Sequence, residues 1–195
     1  MKRNEQMLAD PQHDGILLKG HYSSPRWTQE IADCSMPMTF DTYSNCSFNC
    51  LYCFSQFQRQ NGTAGLTYRA KQIRVAPVEK IKELFRNPSP DNPAIPAWLR
   101  QFVPYVAQRR VMQWGGLSDQ FDGYERRYGR TLELLRFFRE IDYPLCFSTK
   151  SVWWTKDERY MELFRGQRNW NVKFSIITLD ERKARLMEDG VPSPR

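Results

Sequence analysis

No uninterrupted apolar run in this sequence approaches the ~20 residues that a membrane-spanning helix requires. The opening stretch, MKRNEQMLADPQHDG, has no apolar segment behind its basic start and does not read as a secretory signal. These absences lead to the expectation of a cytoplasmic protein with no membrane partner, whose thiols stay reduced. Histidine is scarce: His13 and His21 are the only two, and both read as surface residues of the irregular opening. The cysteine count, five, is odd, which argues against a disulfide framework. No internal repeat is visible. No single basic run stands out either, although the chain carries a net charge of +7. That surplus is compatible with nucleic acid as a partner and equally with an ordinary solvated basic surface.

What is present suits one folded domain. The chain has 195 residues, of which 41% are hydrophobic, enough for a core. Residues 1–37 are polar and irregular. From residue 38 onward, strand and helix patterns alternate. PMTFDTYSNC reads as a short strand entering a loop. VEKIKELFRN (78–87) is an amphipathic helix, and PSPDNPAIP (88–96) a proline-rich break. AWLRQFVPYVAQ reads as helix or turn, with Pro104 expected to kink it. RRVMQWGG (109–116) is a strand ending in two glycines. TLELLRFFREI (131–141) carries a helical apolar stripe of Leu132, Leu135, Phe138 and Ile141. PLCFSTKS (144–151) is a buried-type strand. TKDERYMELFRGQ (155–167) is a helix with a capping-box pattern at Thr155 and Glu158. VKFSIITLD (172–180) is a further strand, and DERKARLMEDG (180–190) a helix stopped by Gly190. Such alternation is the pattern of βαβ units on a parallel sheet. About four strands fall after Met38, whereas a closed eight-stranded barrel takes roughly 250 residues. A short open sheet, or a piece of a longer α/β barrel, fits this count.

The stretch TYSNCSFNCLYC concentrates the chemistry. Cys46, Cys50 and Cys53 are spaced so that all three can reach one soft metal centre. A zinc ion would normally take four ligands, and the candidates for a fourth are Cys34, His13 and His21, all upstream. Cys146 lies on a strand and reads as a core residue. A structural zinc and three unrelated buried cysteines are the plainer readings. The other is an iron–sulfur cube held by three thiolates, which leaves one iron open to a small molecule.

Cys46-Ser47-Phe48-Asn49-Cys50-Leu51-Tyr52-Cys53 resembles the CxxxCxΦC motif of the radical SAM superfamily, with Tyr52 as the aromatic position. WGGLSD (114–119), STKS (148–151), FSIITLDE (174–181) and MEDGVPSPR are similar to segments of its spore photoproduct lyase-like branch. The likeness covers residues 38–195, weakly in 57–108. It implies a partial barrel of parallel strands with the motif after the first strand. It also implies a 4Fe-4S cluster on Cys46, Cys50 and Cys53. S-adenosyl-L-methionine (SAM) would sit on the open iron, with an electron donor such as a flavodoxin or ferredoxin. Members of that branch usually continue beyond PSPR, so the resemblance favours a truncated member.

The resemblance also nominates cofactor contacts. Gly115 and Gly116 match the strand end that meets the methionine part of SAM, though a turn glycine pair would look the same. Ser118 and Asp119 match the floor of the site, or cap the next turn. Lys150, at the carboxyl end of its strand, matches a SAM-contacting lysine. Ser175 would face into a barrel and hydrogen-bond the ligand; Thr178 and Asp180 are weaker. Trp153 and Trp154 could stack on a base, but such a pair more often packs between a loop and a helix. The spore photoproduct lyase itself uses a cysteine near the end of its second strand; the matching place here is Gly116. The resemblance therefore supports the cofactor and the initiating step rather than that lyase's substrate. Two alternatives are a zinc-stabilised nucleic-acid-binding module and a catalytically dead remnant.

Overall fold

The computed structural model describes residues 17–19, 25–28, 36–55 and 73–194. Strand β1 (Leu17–Lys19) pairs in parallel with β4 (Ile73–Val75) as a small two-stranded sheet. The main sheet has five strands in the order β2-β3-β5-β6-β7. Its edge strand β2 (Arg26–Trp27) runs antiparallel to β3 (Met38–Phe40). Strands β5 (Met112–Trp114), β6 (Leu145–Thr149) and β7 (Trp170–Phe174) then follow in parallel, each beside its predecessor.

Helices fill the crossovers. The segment between β4 and β5 holds α1 (Val78–Arg86), α2 (Ala97–Arg100) and α3 (Val103–Ala107). Helices α4 (Gly123–Tyr128) and α5 (Arg130–Glu140) link β5 to β6. A 3-10 turn (Trp153–Lys156) and α6 (Glu158–Phe164) link β6 to β7, and α7 (Glu181–Met187) follows. The expected alternation is therefore seen as a mixed α/β fold. The strand order never reverses, unlike the doubly wound sheets whose order switches midway. Closure into a barrel is not seen among the described residues.

The two faces of the sheet differ in chemistry. Met38, Phe40, Met112, Trp114, Leu145, Phe147 and Trp170 point to one face and pack with Ile81, Leu84, Leu99, Phe102, Leu135 and Phe138 of the helices. Trp114 lies at its centre, fully buried, with Phe40, Phe138 and Phe147 ring centroids at 5.3, 5.6 and 5.5 Å. Each such side chain contributes about 1.5–3 kcal/mol of transfer free energy. The opposite face carries the row Arg26, Thr39, Gln113, Cys146 and Asn171, which are successive register partners. Cys146 is buried, as its strand position implied, but on this polar face.

Several local expectations are corrected. Pro104 kinks nothing: it occupies the first turn of α3, where its missing N–H costs no bond. Thr155 does not cap α6. It lies in the 3-10 turn with its hydroxyl on the Val152 carbonyl, while Asp157 accepts the Arg159 amide at 3.1 Å as the cap. Helix α7 ends at Met187, before Gly190. Strand β7 ends at Phe174, so Ser175 stands just beyond it. The opening segment, expected to be irregular, supplies β1 and β2, and β4 lies in a stretch to which the sequence pattern assigns no element. His13, His21 and Cys34 lie outside the described residues. No helix among the described residues is long and apolar enough to cross a membrane.

Candidate functional site

The cysteine loop leaves the carboxyl end of β3 and is tied down residue by residue. Asp41 accepts the amides of Leu117 and Ser118, both at 2.8 Å, which joins the loop after β3 to the loop after β5. Thr42 accepts from the Trp114 indole at 3.0 Å. Tyr43 donates to Glu125 at 2.7 Å. The Ser47 amide donates to Asp122 at 2.6 Å, and the Ser47 hydroxyl accepts from Gly123 at 2.8 Å. Asn49 then takes a left-handed conformation (φ 31°), which asparagine tolerates better than most residues. A tight turn, Cys53 amide to Cys50 carbonyl at 3.2 Å, brings the last thiol round.

None of the four described cysteines is in a disulfide. Burial, followed by the nearby Asp122 and Asp119, pushes the Cys46 thiol well up from its ordinary range. Burial and then Glu188 raise Cys50 to about 11, with Lys150 opposing. Without metal these thiols hold their protons; a metal displaces them and makes uptake pH-dependent. Three free thiols within eight residues, on a loop fixed by hydrogen bonds at Ser47, form a soft donor set that fits iron. Among the described residues, no three His, Cys, Asp or Glu side chains are gathered as one metal ion requires. A cluster at this place would be held by Cys46, Cys50 and Cys53.

Lys150 follows β6 directly. Its ammonium pairs with Glu188 at 2.7 Å, lies 5.6 Å from the Tyr52 ring centroid and donates to the Ser175 carbonyl at 3.3 Å. Burial works against its charge, but the Glu188 and Tyr52 hydrogen bonds outweigh that and raise its pKa. Tyr52 donates to Glu188, and burial with that bond raises the phenol to about 12. Glu188 is buried, and its backbone bridges to Cys50. The structure thus brings Tyr52, Lys150 and Ser175 together with the cysteine loop. A cavity of about 240 Å³ is lined by Lys150, Ser175 and Glu188, among others. Ser175 contributes through its backbone, its amide donating to the Thr149 carbonyl at 2.8 Å.

Gly115 and Gly116 serve close packing by the protein itself. A Cβ on Gly115 (φ 93°) would stand 2.2 Å from Gln120 Oε1 and 2.7 Å from the Ser148 carbonyl. One on Gly116 would stand 2.4 Å from Thr39 Oγ1 and 2.5 Å from Arg26 Nη2. Ser118 and Asp119 also hydrogen-bond within the protein. The Ser118 hydroxyl contacts Asp41 at 3.2 Å and the Tyr43 carbonyl at 2.9 Å. Asp119 accepts from the Thr149 hydroxyl at 2.8 Å and the Lys150 amide at 2.6 Å, which fixes where Lys150 leaves the strand. Burial raises Asp119 to about 6, against these hydrogen bonds. Trp154 is buried against Phe121, and Trp153 donates to the Phe121 carbonyl at 2.6 Å, so the pair packs.

Reading the sequence did not find Glu188, Asp122 or Gln120. Asp122 had a local signal, an acidic residue just before a helix start. Glu188 lies in the MEDGVPSPR stretch, but nothing local singled it out, because its role comes from a partner 136 residues away. Gln120 is fully buried with both amide atoms unpartnered, an arrangement that costs about 1–3 kcal/mol per group unless something else satisfies it.

No protein family, curated protein or solved structure matches this chain in comparison.

Proposed function

We propose that this chain is a radical SAM enzyme: it binds a 4Fe-4S cluster through Cys46, Cys50 and Cys53 and cleaves SAM reductively. The sheet is read as the start of a partial barrel. The observation that carries the reading is the loop itself. Three cysteines outside any disulfide stand on a hydrogen-bonded loop at the carboxyl end of the first parallel strand of the main sheet, where α/β proteins place ligands, beside Lys150 and Tyr52. When bound, the cluster supplies the electron that splits the sulfonium of SAM and yields a 5′-deoxyadenosyl radical.

The chain's own residues prepare that site. Asp122 and Asp41 hold the loop backbone, so the thiols start near their working positions. Lys150 offers a cation to the carboxylate of a bound amino acid, and Asp119 aims it through the strand-end amide. Glu188 neutralises Lys150 until a ligand carboxylate takes its place, and is itself an acceptor for a ligand ammonium. Tyr52 presents an aromatic ring, 43% exposed, beside the cation. The electron donor, of flavodoxin or ferredoxin type, follows from the resemblance alone, and the resemblance does not extend to the substrate.

Anaerobic reconstitution with iron and sulfide, then dithionite and SAM, tests the reading. The expected result is about four irons per chain and 5′-deoxyadenosine, as the cluster type demands. Alanine at Cys46, Cys50 or Cys53 should abolish the cluster. Iron without deoxyadenosine would favour a dead remnant. Zinc taken in preference to iron, with salt-sensitive nucleic-acid binding, would favour the structural-metal module.

A further inference from the structure

Parallel sheets normally bury two apolar faces. Here only one face is apolar. The other carries Arg26, Thr39, Gln113, Cys146 and Asn171 in one registered row, with Ser148 and Lys173 paired in the next. These side chains are organised. The Gln113 carboxamide donates to Ser148 Oγ at 2.9 Å and accepts from Lys173 Nζ at 3.2 Å. Lys173 starts on edge strand β7 and reaches across β6 to a residue of β5. A lysine that merely protects an edge would extend into water. This one is exposed but turns back along the sheet to Gln113. It has no carboxylate partner among the described residues, and one bond to Gln113 leaves two of its three donors.

A second observation points to a ligand on the same face. The Thr39 hydroxyl, in the row of Gln113, is buried without a hydrogen-bond partner. So are both amide atoms of Gln120, which rests against Gly115 at the end of β5. Buried polar groups are rarely left unpaired, so the Thr39 hydroxyl on this face and the Gln120 amide beside the end of β5 call for partners.

We infer that the polar face of the sheet is the substrate-binding surface, and that Lys173, positioned by Gln113 and Ser148, holds an anionic group of the substrate. The inference rests on the proposed function only for calling the bound molecule a substrate. Lys173 pairs with Ser148, two residues before Lys150, so the anion is held about 6–7 Å along the strand from any carboxylate at Lys150. The shared ligand chemistry is an oxyanion, either a carboxylate or a phosphate ester.

The test uses the full chain without iron or SAM, so its outcome is independent of cluster chemistry. Thermal unfolding is followed against inorganic phosphate and, separately, acetate, with ionic strength held constant by chloride. One of the two anions should raise the melting temperature saturably; phosphate alone assigns a phosphate ester, acetate a carboxylate. Lys173→Met should weaken that response at least tenfold and Gln113→Leu several-fold. Lys173→Arg should retain it, and Lys80→Met on the exposed side of α1 should match wild type. No response to either anion, or an unchanged response in Lys173→Met, would overturn the inference. Deoxyadenosine formation, assayed on reconstituted protein, reports on the proposed function separately: its absence with anion binding intact sinks that reading and leaves this site standing.

Discussion

The backbone amide of Ser47 donates to the Asp122 carboxylate at 2.6 Å, while the Ser47 hydroxyl accepts from the Gly123 amide at 2.8 Å. The pair locks the cysteine loop to the first turn of α4, since Asp122 also caps that helix through the Tyr124 amide at 2.9 Å. One carboxylate therefore serves both a helix terminus and the cysteine loop.

Removing it should loosen the loop more than the fold. Asp122→Ala is expected to cost about 1–2 kcal/mol, the usual loss of a helix cap. The larger expected effect is on metal: reconstituted Asp122→Ala should lose iron to a chelator several times faster than wild type. Equal chelation rates would show that the loop holds its shape without this lock.

The Lys150–Glu188 pair offers a test by double substitution. Both side chains are largely buried, at 17% and 6% exposure. Lys150→Met strands a buried carboxylate and should destabilise by about 3 kcal/mol. Glu188→Gln combined with Lys150→Met should recover much of that loss, because neither charge is left alone. Chemical denaturation of the three variants measures this directly. An additive double variant would mean the two groups do not sense each other.

Glu125 accepts four hydrogen bonds, from Tyr43, Tyr160, Thr131 and Leu132, at 2.6 to 2.8 Å. Burial nonetheless raises its pKa, the bonds opposing. The folded state thus holds a proton on Glu125 at pH values where the unfolded chain has released it. Its contribution is greatest below the ordinary glutamate pKa of about 4.3 and erodes as pH rises through the raised value. Glu125→Gln should lack this pH-dependent component. It should also be less stable by about 2–4 kcal/mol, since its NH₂ cannot accept from donors already in place. Denaturation midpoints of both proteins between acid and neutral pH give the comparison.

Alanine at the two strand-end glycines should separate them in order. Gly115→Ala meets a backbone carbonyl at 2.7 Å and a positive φ, whereas Gly116→Ala meets only side-chain ends. Both should destabilise, by about 1–3 kcal/mol as overpacking does, with Gly115→Ala the worse. The reverse order in melting temperatures would refute the packing argument.

The alternation of β3, β5, β6 and β7 with helices was legible because each element buries a face whose period shows in the sequence, as in Leu132, Leu135 and Phe138 of α5. Strand β4 was not legible: three residues, Ile73–Val75, are too few to set a period. The cap of α6 was misplaced because Asp157, one residue from the helix, outcompetes Thr155, whose hydroxyl turns back to Val152. Within the site, the three cysteines and Lys150 stood out through local spacing and strand position. Glu188 and Gln120 did not, since their meaning arises only when distant strand ends meet.

That meeting has a temporal side. The strands of the main sheet lie side by side in the order in which they are synthesised, each paired with the one before it in that sheet. Nothing in β3 or β5 must wait for a later strand, so the sheet can grow as the polypeptide emerges. The bond from Tyr52 to Glu188 spans 136 residues and forms only when the end of α7 arrives. The cysteine loop is thus built early and latched late, which leaves an interval during synthesis in which its thiols are placed but not yet covered.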